Sequence, residues 1–340
     1  MTLTRVAKRL ACAAAACIAY GVFVEPRHFV VRRVNVPVLP AGAQRLRVLH
    51  ISDLHVASFN RARLRFIETL AGLEPDLVIG TGDNIASAGA IEPLGRAFGR
   101  LLDVPGAYVL GSNDYEPASP RNPFGYLLRA QSDDAADSVG SPDSVGSPDS
   151  VGFPDSPASF GSPISPDSAA SPTPRASGTL PTAELTAMLS SGAWVNVTSQ
   201  RVVFDIEGVR VEVRGTGDAH TGHDDYAPVA GPPSDGVDVS LGATHSPYER
   251  VLNAMARDDV DLIFAGHTHG GQVCVPGYGA LVTNCDLPRA QAKGLSVHRT
   301  KHHTAWLNVS AGLGQSPWSP FRFACPPEVT LLTLTSHSNG

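Results

Sequence analysis

The spacing of hydrophobic positions between residues 46 and 110 predicts three strands that alternate with two helices. Residues 46–52, 76–80 and 107–110 are short apolar runs typical of buried strands, while the spacing over 60–71 and 91–102 predicts amphipathic helices. A βαβαβ order implies parallel strands joined by right-handed crossovers. Because ligands of such sheets bind beyond the carboxyl ends of the strands, the residues after each strand are the first candidates for a site.

The second half of the chain predicts a second sheet with more antiparallel character. A helix over 182–190 precedes a hairpin, whose strands 202–206 and 209–213 flank Glu207-Gly208. Further runs predict one more helix at 248–256 and four strands, at 237–241, 261–265, 305–309 and 329–334. The pattern as a whole predicts an α/β fold.

A low-complexity stretch separates the two halves at about residues 131–178. The sequence Asp-Ser-Val-Gly-Ser-Pro begins at Asp137 and again at Asp143, and a variant begins at Asp149. Recurrent Pro, Gly, Ser and Asp leave too few apolar groups to offset the entropy of ordering the chain. A six-residue period also occurs in β-helices, but so few copies, each with a Pro, do not suit one. We therefore expect a disordered insertion within one domain.

An uncharged apolar segment at residues 10–24 follows Arg5, Lys8 and Arg9. This order resembles the charged and apolar regions of a signal peptide or a short signal anchor. Cleavage after the Cys-Ile-Ala sequence at 17–19 would make the protein secreted, and retention would keep it membrane-associated. Basic residues on both sides leave the orientation open. We assign residues 1–44 to a membrane segment and leader, and residues 45–335 to the folded domain.

Composition narrows the range of partners. The formal net charge is −6 and no basic stripe is visible, which argues against a nucleic-acid partner.

The five cysteines form no CxxC motif and no zinc-ribbon spacing. Cys274 and Cys285 flank a Gly/Pro-rich turn and could form a disulfide outside the cytoplasm, but they and Cys325 are equally compatible with buried free thiols.

Metal-ligand side chains follow the predicted strands in an order that would bring them to one site. They comprise two carboxylates, one amide and four imidazoles: Asp53, His55, Asp83, Asn113, His245, His267 and His269. Oxygen and nitrogen donors without thiolate suit Mn, Fe or Zn rather than a soft metal. The set is large enough for two divalent metal ions, and two such ions about 3.5–4 Å apart that share a water are common machinery for phosphate-ester hydrolysis.

The individual motifs differ in how strongly they indicate a metal site. Asp53-Leu54-His55 is common by chance, Gly-Asp-Asn at 82–84 is a frequent turn, and an isolated histidine such as His245 usually has a structural role. Gly-His-Thr-His-Gly-Gly-Gln at 266–272 is much harder to obtain by chance. The interpretation as a metal site therefore depends on the ordered set as a whole, whose members lie at predicted strand ends.

In this order the motifs resemble those of the calcineurin-like metallophosphoesterase superfamily, and the segment 266–272 is most similar to the membrane-associated phosphodiesterases of the YaeI/YkuE type. The resemblance extends over about residues 45–334 without the insertion. It implies two facing mixed β-sheets flanked by helices, a four-layer sandwich. It also implies which residues hold each metal: Asp53, His55 and His269 for one, Asn113, His245 and His267 for the other, and Asp83 between them.

One motif departs from the family pattern. Where the family has Gly-Asn-His-Asp or Gly-Asn-His-Glu, this chain has Gly-Ser-Asn-Asp at 111–114. We place Asn113 at the ligand position, because an amide oxygen is a better metal ligand than a serine hydroxyl. The usual histidine, which assists the leaving group, is then missing. Asp114 and His220 are the candidate catalytic replacements, and His223 in the same loop as His220 is a further one.

The sequence thus predicts a metal-dependent phosphohydrolase that cleaves a phosphodiester, phosphomonoester or pyrophosphate with a hydroxide that bridges two metal ions. The N-terminal segment suggests a lipid or envelope substrate at a membrane. Two other functions stay open. The missing histidine favours a metal-binding, non-catalytic module that recruits partners, whereas the acidic balance disfavours a nuclease.

Overall fold

The computed structural model describes residues 3–118, 179–316 and 318–336. The predicted insertion at 131–178 lies outside these residues. The described part contains five α-helices: α1 (Leu3–Phe23), α2 (Arg61–Glu68), α3 (Ile91–Phe98), α4 (Thr182–Leu189) and α5 (Glu249–Arg257).

The described part also contains fourteen strands. They are β1 (Val30–Leu39), β2 (Leu46–Ile51), β3 (Leu77–Gly80), β4 (Gly106–Tyr108), β5 (Trp194–Asn196), β6 (Arg201–Ile206), β7 (Val209–Gly215), β8 (Val239–Ala243), β9 (Leu262–Ala265), β10 (Cys274–Val275), β11 (Gly279–Ala280), β12 (Gly294–Arg299), β13 (Thr304–Val309) and β14 (Glu328–Ser336). Two six-stranded sheets contain all of them except β10 and β11, which pair with each other.

The first sheet has the order β1-β14-β2-β3-β4-β5. Strands β2, β3, β4 and β5 are parallel neighbours, as the βαβαβ pattern predicts. Strand β14 is inserted between β1 and β2, parallel to β1 and antiparallel to β2. The carboxyl ends of β2, β3 and β4 therefore meet at one edge of this sheet.

The second sheet has the order β12-β13-β9-β8-β7-β6. Its four central strands are parallel, and only the edge strands β12 and β6 pair in antiparallel fashion. The sheet is thus less antiparallel than its hairpin sequence led us to expect. Its parallel centre brings the carboxyl ends of β7, β8 and β9 together.

The two sheets face each other through a shared apolar core. Successive side chains of a strand alternate between the two faces of its sheet, so each sheet has an inner and an outer set. Val48 of β2 and Phe264 of β9 belong to the inner sets that form this core. The outer face of the first sheet packs against Ile67 of α2 and Leu94 of α3. The outer face of the second sheet packs against Leu252 of α5. This layering confirms the predicted α/β fold of two facing mixed sheets flanked by helices.

Helix α3 is shorter than its apolar pattern predicts. It ends at Phe98, because Gly99 adopts a φ of 46° that stops the helix. The chain then continues as a 3₁₀ turn over Gly99–Asp103, whose residues Leu101 and Leu102 are buried. The apolar pattern therefore continues past the helix and marks burial rather than helical structure.

Strand β1 lies within the segment that the sequence analysis assigned to the leader. It pairs with β14 along nearly its whole length, from Val30 opposite Glu328 onward. Arg32, Arg33 and Asn35 interrupt its apolar pattern, which explains why the sequence did not predict it. Strand β1 is thus part of the first sheet although it lies upstream of residue 45.

Helix α1 is 21 residues long. At 1.5 Å per residue it measures roughly 32 Å, close to the thickness of the hydrocarbon core of a bilayer. Its length and composition meet the requirements for crossing a membrane, and a signal sequence would meet them as well.

The end of α1 is attached to the loop that precedes β14. The N–H of Arg322 donates to the carbonyl of Gly21 at 2.9 Å. Directly after the helix, the buried carboxylate of Glu25 accepts from the N–H groups of Ala324 at 3.0 Å and Cys325 at 2.5 Å. The helix thus leaves the domain from a defined position.

Candidate metal centre

The predicted ligands lie on loops at the carboxyl ends of strands from both sheets. Asp53 and His55 follow β2, Asp83 follows β3, and His267 and His269 follow β9. All five have positive φ angles, from 40° at His55 to 67° at His267. Positive φ is unfavourable for residues other than glycine and is concentrated at functional sites, where the surrounding structure enforces it. Both sheets thus contribute strained turns to one place.

Asp53, His55 and His269 form a first group of side chains that could hold a metal ion. Their donor atoms lie within 4.8 Å of one another. The Nε2 atoms of His55 and His269 are 3.3 Å apart, and His269 Nε2 is 3.6 Å from Asp53 Oδ1. Two imidazole nitrogens that face each other this closely require a shared proton or a cation between them.

Asp53, Asp83 and His245 form a second group, whose donor atoms also lie within 4.8 Å of one another. Asp83 Oδ2 is 3.4 Å from His55 Nε2 and 3.4 Å from His245 Nε2. Asn113 donates its side-chain N–H to the same oxygen at 2.7 Å. Asp83 therefore contacts His55 of the first group as well as His245 of the second, and Asp53 belongs to both groups.

Hydrogen bonds orient two of the imidazole rings. Nδ1 of His245 lies 2.6 Å from the carbonyl of Thr81, and Nδ1 of His269 lies 3.1 Å from the carbonyl of Gly314. Because a carbonyl can only accept, each Nδ1 carries a proton, and in the neutral ring Nε2 keeps its lone pair. Metal-ligating histidines commonly show this arrangement. His245 Nε2 has no hydrogen-bond partner among the described residues, so the donor set fits a divalent cation.

The buried carboxylates favour positive charge at the centre. Burial lowers the pKa of His245, but Asp83 and Asp218 outweigh it and hold that pKa well above its usual range. Burial raises the pKa of Asp83, but His245 and His55 outweigh it and hold that pKa well below its usual range. Burial is the largest cause that raises the pKa of Asp53 to about 6. A proton on His245 or a bound cation can supply the positive charge that this field requires.

His267 lies beside the two groups and orients Asp53. Its backbone N–H donates to both carboxylate oxygens of Asp53, at 3.1 and 3.0 Å. Its ring centroid is 5.3 Å from that of His245. Its Nε2 atom lies 3.2 Å from the carbonyl oxygen and 3.1 Å from the side-chain nitrogen of Asn284. Sequence reasoning missed Asn284, which comes from a loop outside the ligand motifs.

Of the two loop histidines, His220 is the one beside the metal ligands. Its ring centroid is 4.6 Å from that of His267, and its Nδ1 is 3.1 Å from the hydroxyl of Tyr248. His223 instead hydrogen-bonds the hydroxyl of Thr221 through Nδ1 at 2.9 Å and is exposed. The structure therefore separates these two candidates.

Asp114 is a positioning residue. Its Oδ2 accepts from the N–H groups of Asp83 at 2.8 Å and Gly111 at 3.1 Å, and its Oδ1 accepts from the N–H of Asn84 at 2.6 Å. The side chain is fully buried, and burial with the nearby charge of Asp83 raises its pKa to about 7. Because both oxygens already accept backbone donors, Asp114 fixes the turn that presents Asp83. The proton-donor role that the sequence allowed for it has no support in this geometry.

Asp218 is a site residue that the sequence analysis missed. It is buried and accepts from the N–H of Ser112 at 3.1 Å, the hydroxyl of Ser246 at 2.5 Å and the N–H of His220 at 3.0 Å. It thus connects three loops around His245. Gly217-Asp218 directly after β7 has the same pattern as Gly82-Asp83 after β3, and this repetition was the available signal.

Comparisons with known proteins agree with these motifs. The family model for the calcineurin-like phosphoesterases matches residues 46–158, which include the motifs after β2, β3 and β4. The metallophosphoesterase YkuE of Bacillus subtilis, itself uncharacterized, is 28% identical over 162 residues, which are 47% of this chain and 53% of that protein. This chain therefore spans about half of the length of that relative.

Three solved structures show a distant similarity. A 5'-nucleotidase precursor from Thermus thermophilus matches with a TM-score of 0.43 and 14% identity, over 85% of this chain and 55% of that one. The protein TT1561 of the same organism gives 0.35 and 12%, over 79% and 91%. GAP50, described as the anchor in the inner membrane complex of Plasmodium, gives 0.36 and 10%, over 83% and 77%.

The family assignment depends on the sequence comparisons and the site together. The matched segment carries Asp53, His55, Asp83 and Asn113, and the structure brings these residues to the histidines of the second half. Over the matched segment and the site, the chain is similar to the calcineurin-like phosphoesterases, and both comparisons support that superfamily.

Proposed function

We propose that this protein is a metal-dependent phosphohydrolase of the membrane-associated YaeI/YkuE type, with phosphodiesters as its first substrate class. The observation that supports this most is the convergence of two ligand groups that share Asp53. A pair of bound divalent cations would neutralise phosphoryl charge and lower the pKa of a shared water, so that hydroxide is available near neutral pH.

Residues of both halves of the chain would hold the two cations. Asp53, His55 and His269 would bind the first, whereas His245, His267 and Asn113 would bind the second, with Asp83 between them. The amide of Asn113 presents its N–H to Asp83 in this structure. A half-turn of the amide group would present its oxygen instead, and a bound cation would have to offset the hydrogen bond to Asp83 that the turn gives up.

His220 is our candidate for the residue that assists the leaving group in place of the missing histidine. Its position against His267 supports this. His220→Ala should reduce turnover of an alkyl phosphodiester by about 10²-fold or more, since a poor leaving group needs a proton. Turnover of a nitrophenyl ester should change much less. His223→Ala is the matched control, and equal losses on both esters in His220→Ala would contradict the role.

The docking of α1 supports a substrate phosphate that is presented at a membrane surface. Glu25 and Gly21 bind the loop 321–325, and the same loop contacts the metal motif, because the side-chain amide of Gln272 donates to the carbonyl of Phe321 at 3.3 Å. With the full chain in vesicles, a long-chain phosphodiester lipid should be cleaved at least about tenfold more efficiently than a soluble short-chain analogue. Equal efficiencies would contradict a membrane substrate.

Hydrolysis assays with metal analysis test the catalytic proposal. The full chain in detergent with Mn²⁺ should cleave bis-p-nitrophenyl phosphate or p-nitrophenyl phosphate. Asp83→Asn and His245→Gln should each lose about 10²-fold or more of this activity together with bound metal, whereas exposed His302→Gln should lose neither. Bound metal without turnover on either ester would favour the non-catalytic module, and full activity in Asp83→Asn would refute the mechanism.

A further inference from the structure

Two buried thiols lie directly behind the metal-binding loop. Cys274 and Cys325 both donate to the carbonyl oxygen of Gly270, at 3.3 and 3.5 Å. In addition, Cys325 Sγ lies 3.4 Å from the carbonyl of His269. Two sulfurs that are 51 residues apart in the sequence thus meet at one carbonyl oxygen.

The surroundings of this pair differ from those of the third cysteine of the domain. Cys274 and Cys325 belong to a small core of their own, whose other members are Ala280, Ala292 and Ala311. Cys285 packs instead against the core under α5. The sequence offered Cys274 and Cys285 as a pair, and the structure brings Cys274 to Cys325. All the cysteines are free thiols in this structure.

We propose that Cys274 and Cys325 are a disulfide-forming pair that connects the metal-binding loop to the loop that holds α1. The reaction is thiol–disulfide exchange with a disulfide of low molecular weight, such as oxidised glutathione, or with a disulfide-carrying oxidoreductase. The two protein sulfurs lose two protons and two electrons and form one S–S bond. The oxidant takes up the electrons as its own S–S bond breaks, and it leaves as two thiols.

The contacts of Cys325 show what the bond would connect. Its backbone N–H donates to Glu25, and the neighbouring Arg322 donates to Gly21 at the end of α1. Cys274 lies two residues after Gln272, the last residue of the metal-binding motif. A disulfide would therefore fix the distance between the ligand loop of His269 and the anchor of α1, and it would replace two weak S–H donors.

A short hairpin provides access for the oxidant. Strands β10 and β11 have only two residues each, and Val275 and Tyr278 at the hairpin are 44% and 59% exposed. Two-stranded hairpins are marginal on their own, so this one can open without disturbing the main sheets. Lys293 Nζ lies 3.5 Å from Cys325 Sγ and places a positive charge beside that sulfur.

Peptide mapping after oxidation tests the pairing. Trypsin leaves Cys274 and Cys285 together in peptide 258–289 and Cys325 in peptide 323–340. We would incubate the full chain with oxidised glutathione, block the remaining thiols and map the cross-linked peptides. In Cys285→Ser, a cross-link between these two peptides should persist. A Cys274–Cys285 bond in the unaltered chain, or only glutathione adducts, would overturn the proposal.

Thermal unfolding gives a second test. The bond closes a loop of about 50 residues, and oxidation should raise the melting temperature by about 5–10 °C. Cys285→Ser should show the same rise, whereas Cys274→Ser and Cys325→Ala should show none. An equal rise in Cys274→Ser and Cys325→Ala would overturn the proposal. If neither of these variants folds, peptide mapping of the unaltered chain still decides whether Cys274 pairs with Cys325. Neither readout requires phosphoesterase turnover, so this pairing and the proposed activity can fail separately.

Discussion

Substitution of Asp114 by asparagine should destabilise the protein and weaken its metal binding. The substitution keeps the shape of the side chain, removes the charge that the carboxylate carries above its pKa of about 7, and replaces one acceptor oxygen with an NH₂ group. Asp114 Oδ2 accepts from the N–H groups of Asp83 and Gly111 and from the side-chain amide of Asn84. The amide oxygen of the variant should keep this position, so the NH₂ group would face the N–H of Asn84.

The cost follows from the hydrogen bonds that change. The bond from Asn84 N–H to Oδ1, 2.6 Å long, is lost, and the buried donor is left without an acceptor. A hydrogen bond to a charged group contributes about 1.5–3 kcal/mol, and an unsatisfied buried donor costs about 1–3 kcal/mol. We expect a total loss of about 3 kcal/mol in the free energy of unfolding, which lowers the melting temperature by about 6–12 °C. Metal affinity should fall about 10–100-fold, because the turn that presents Asp83 loosens.

Differential scanning calorimetry and metal titration measure both effects in the same variant. Asp103→Asn, at an exposed aspartate, is the matched control and should leave both values unchanged. A melting temperature for Asp114→Asn within about 2 °C of the unaltered protein would refute the positioning role and would restore the case for Asp114 as an acid.

Three further predictions concern protons and backbone geometry. Metal binding at pH 7 should release protons, because the raised pKa of His245 keeps this residue protonated when no metal is bound. Binding should also weaken as the pH falls, because Asp53, with a pKa of about 6, binds a proton below that pH. Calorimetric heats of metal binding that do not depend on the ionisation enthalpy of the buffer would contradict this. Burial lowers the pKa of His50 to about 3, so the folded state binds this proton less readily than the unfolded chain, and the free energy of unfolding should fall as the pH drops from about 6.5 to about 3. In urea titrations, His50→Gln should reduce the slope of this free energy against pH by up to about 1.4 kcal/mol per pH unit. An unchanged slope would contradict the prediction. Gly82 has a φ of 90°, and an added Cβ would lie 2.3 Å from the backbone nitrogen of Gly111, so Gly82→Ala should lower the free energy of unfolding by about 2 kcal/mol or more. Gly72→Ala, where an added Cβ meets open space, should leave it unchanged. Equal melting temperatures for the two variants would contradict this.

The strands that carry the ligands could be predicted because they are buried on both faces. The apolar run that becomes β3 has all four residues buried, and β9 is the same. Parallel central strands of this kind read as continuous hydrophobic segments. Their carboxyl ends could then be located to within a residue or two, which placed Asp83 and His267 correctly at the ends of strands.

The edge strands β5 and β12 escaped prediction for the opposite reason. In β12, only His298 is buried and the other positions are partly or fully exposed, so the sequence has no apolar alternation. Strand β5 has three residues, too few to show a period. Such strands form because a neighbouring strand offers unpaired backbone groups, and this information is not local.

The arrangement of 111–114 likewise depended on three-dimensional structure. A 3₁₀ turn over Ser112–Asp114 directs Asn113 toward Asp83 and Asp114 into the interior. Sequence reasoning chose Asn113 as a ligand from donor chemistry, and in the structure its side-chain amide contacts Asp83. It could not show that Asp114 binds the backbone of the adjacent loop, since that loop lies 31 residues earlier in the chain at Asp83.

The position of β14 has a consequence for how the chain folds. Strands β1 and β2 are separated by only six residues in sequence, yet β14 must come to lie between them. Until residues 328–336 have been synthesised, the nascent first sheet presents an unpaired β2 edge beside a β1 that has no partner strand. Contacts between such distant segments form slowly and leave strand edges open to association. Strand β14 leaves the ribosome after the other thirteen described strands, and it is the one that prevents β1 and β2 from pairing with each other.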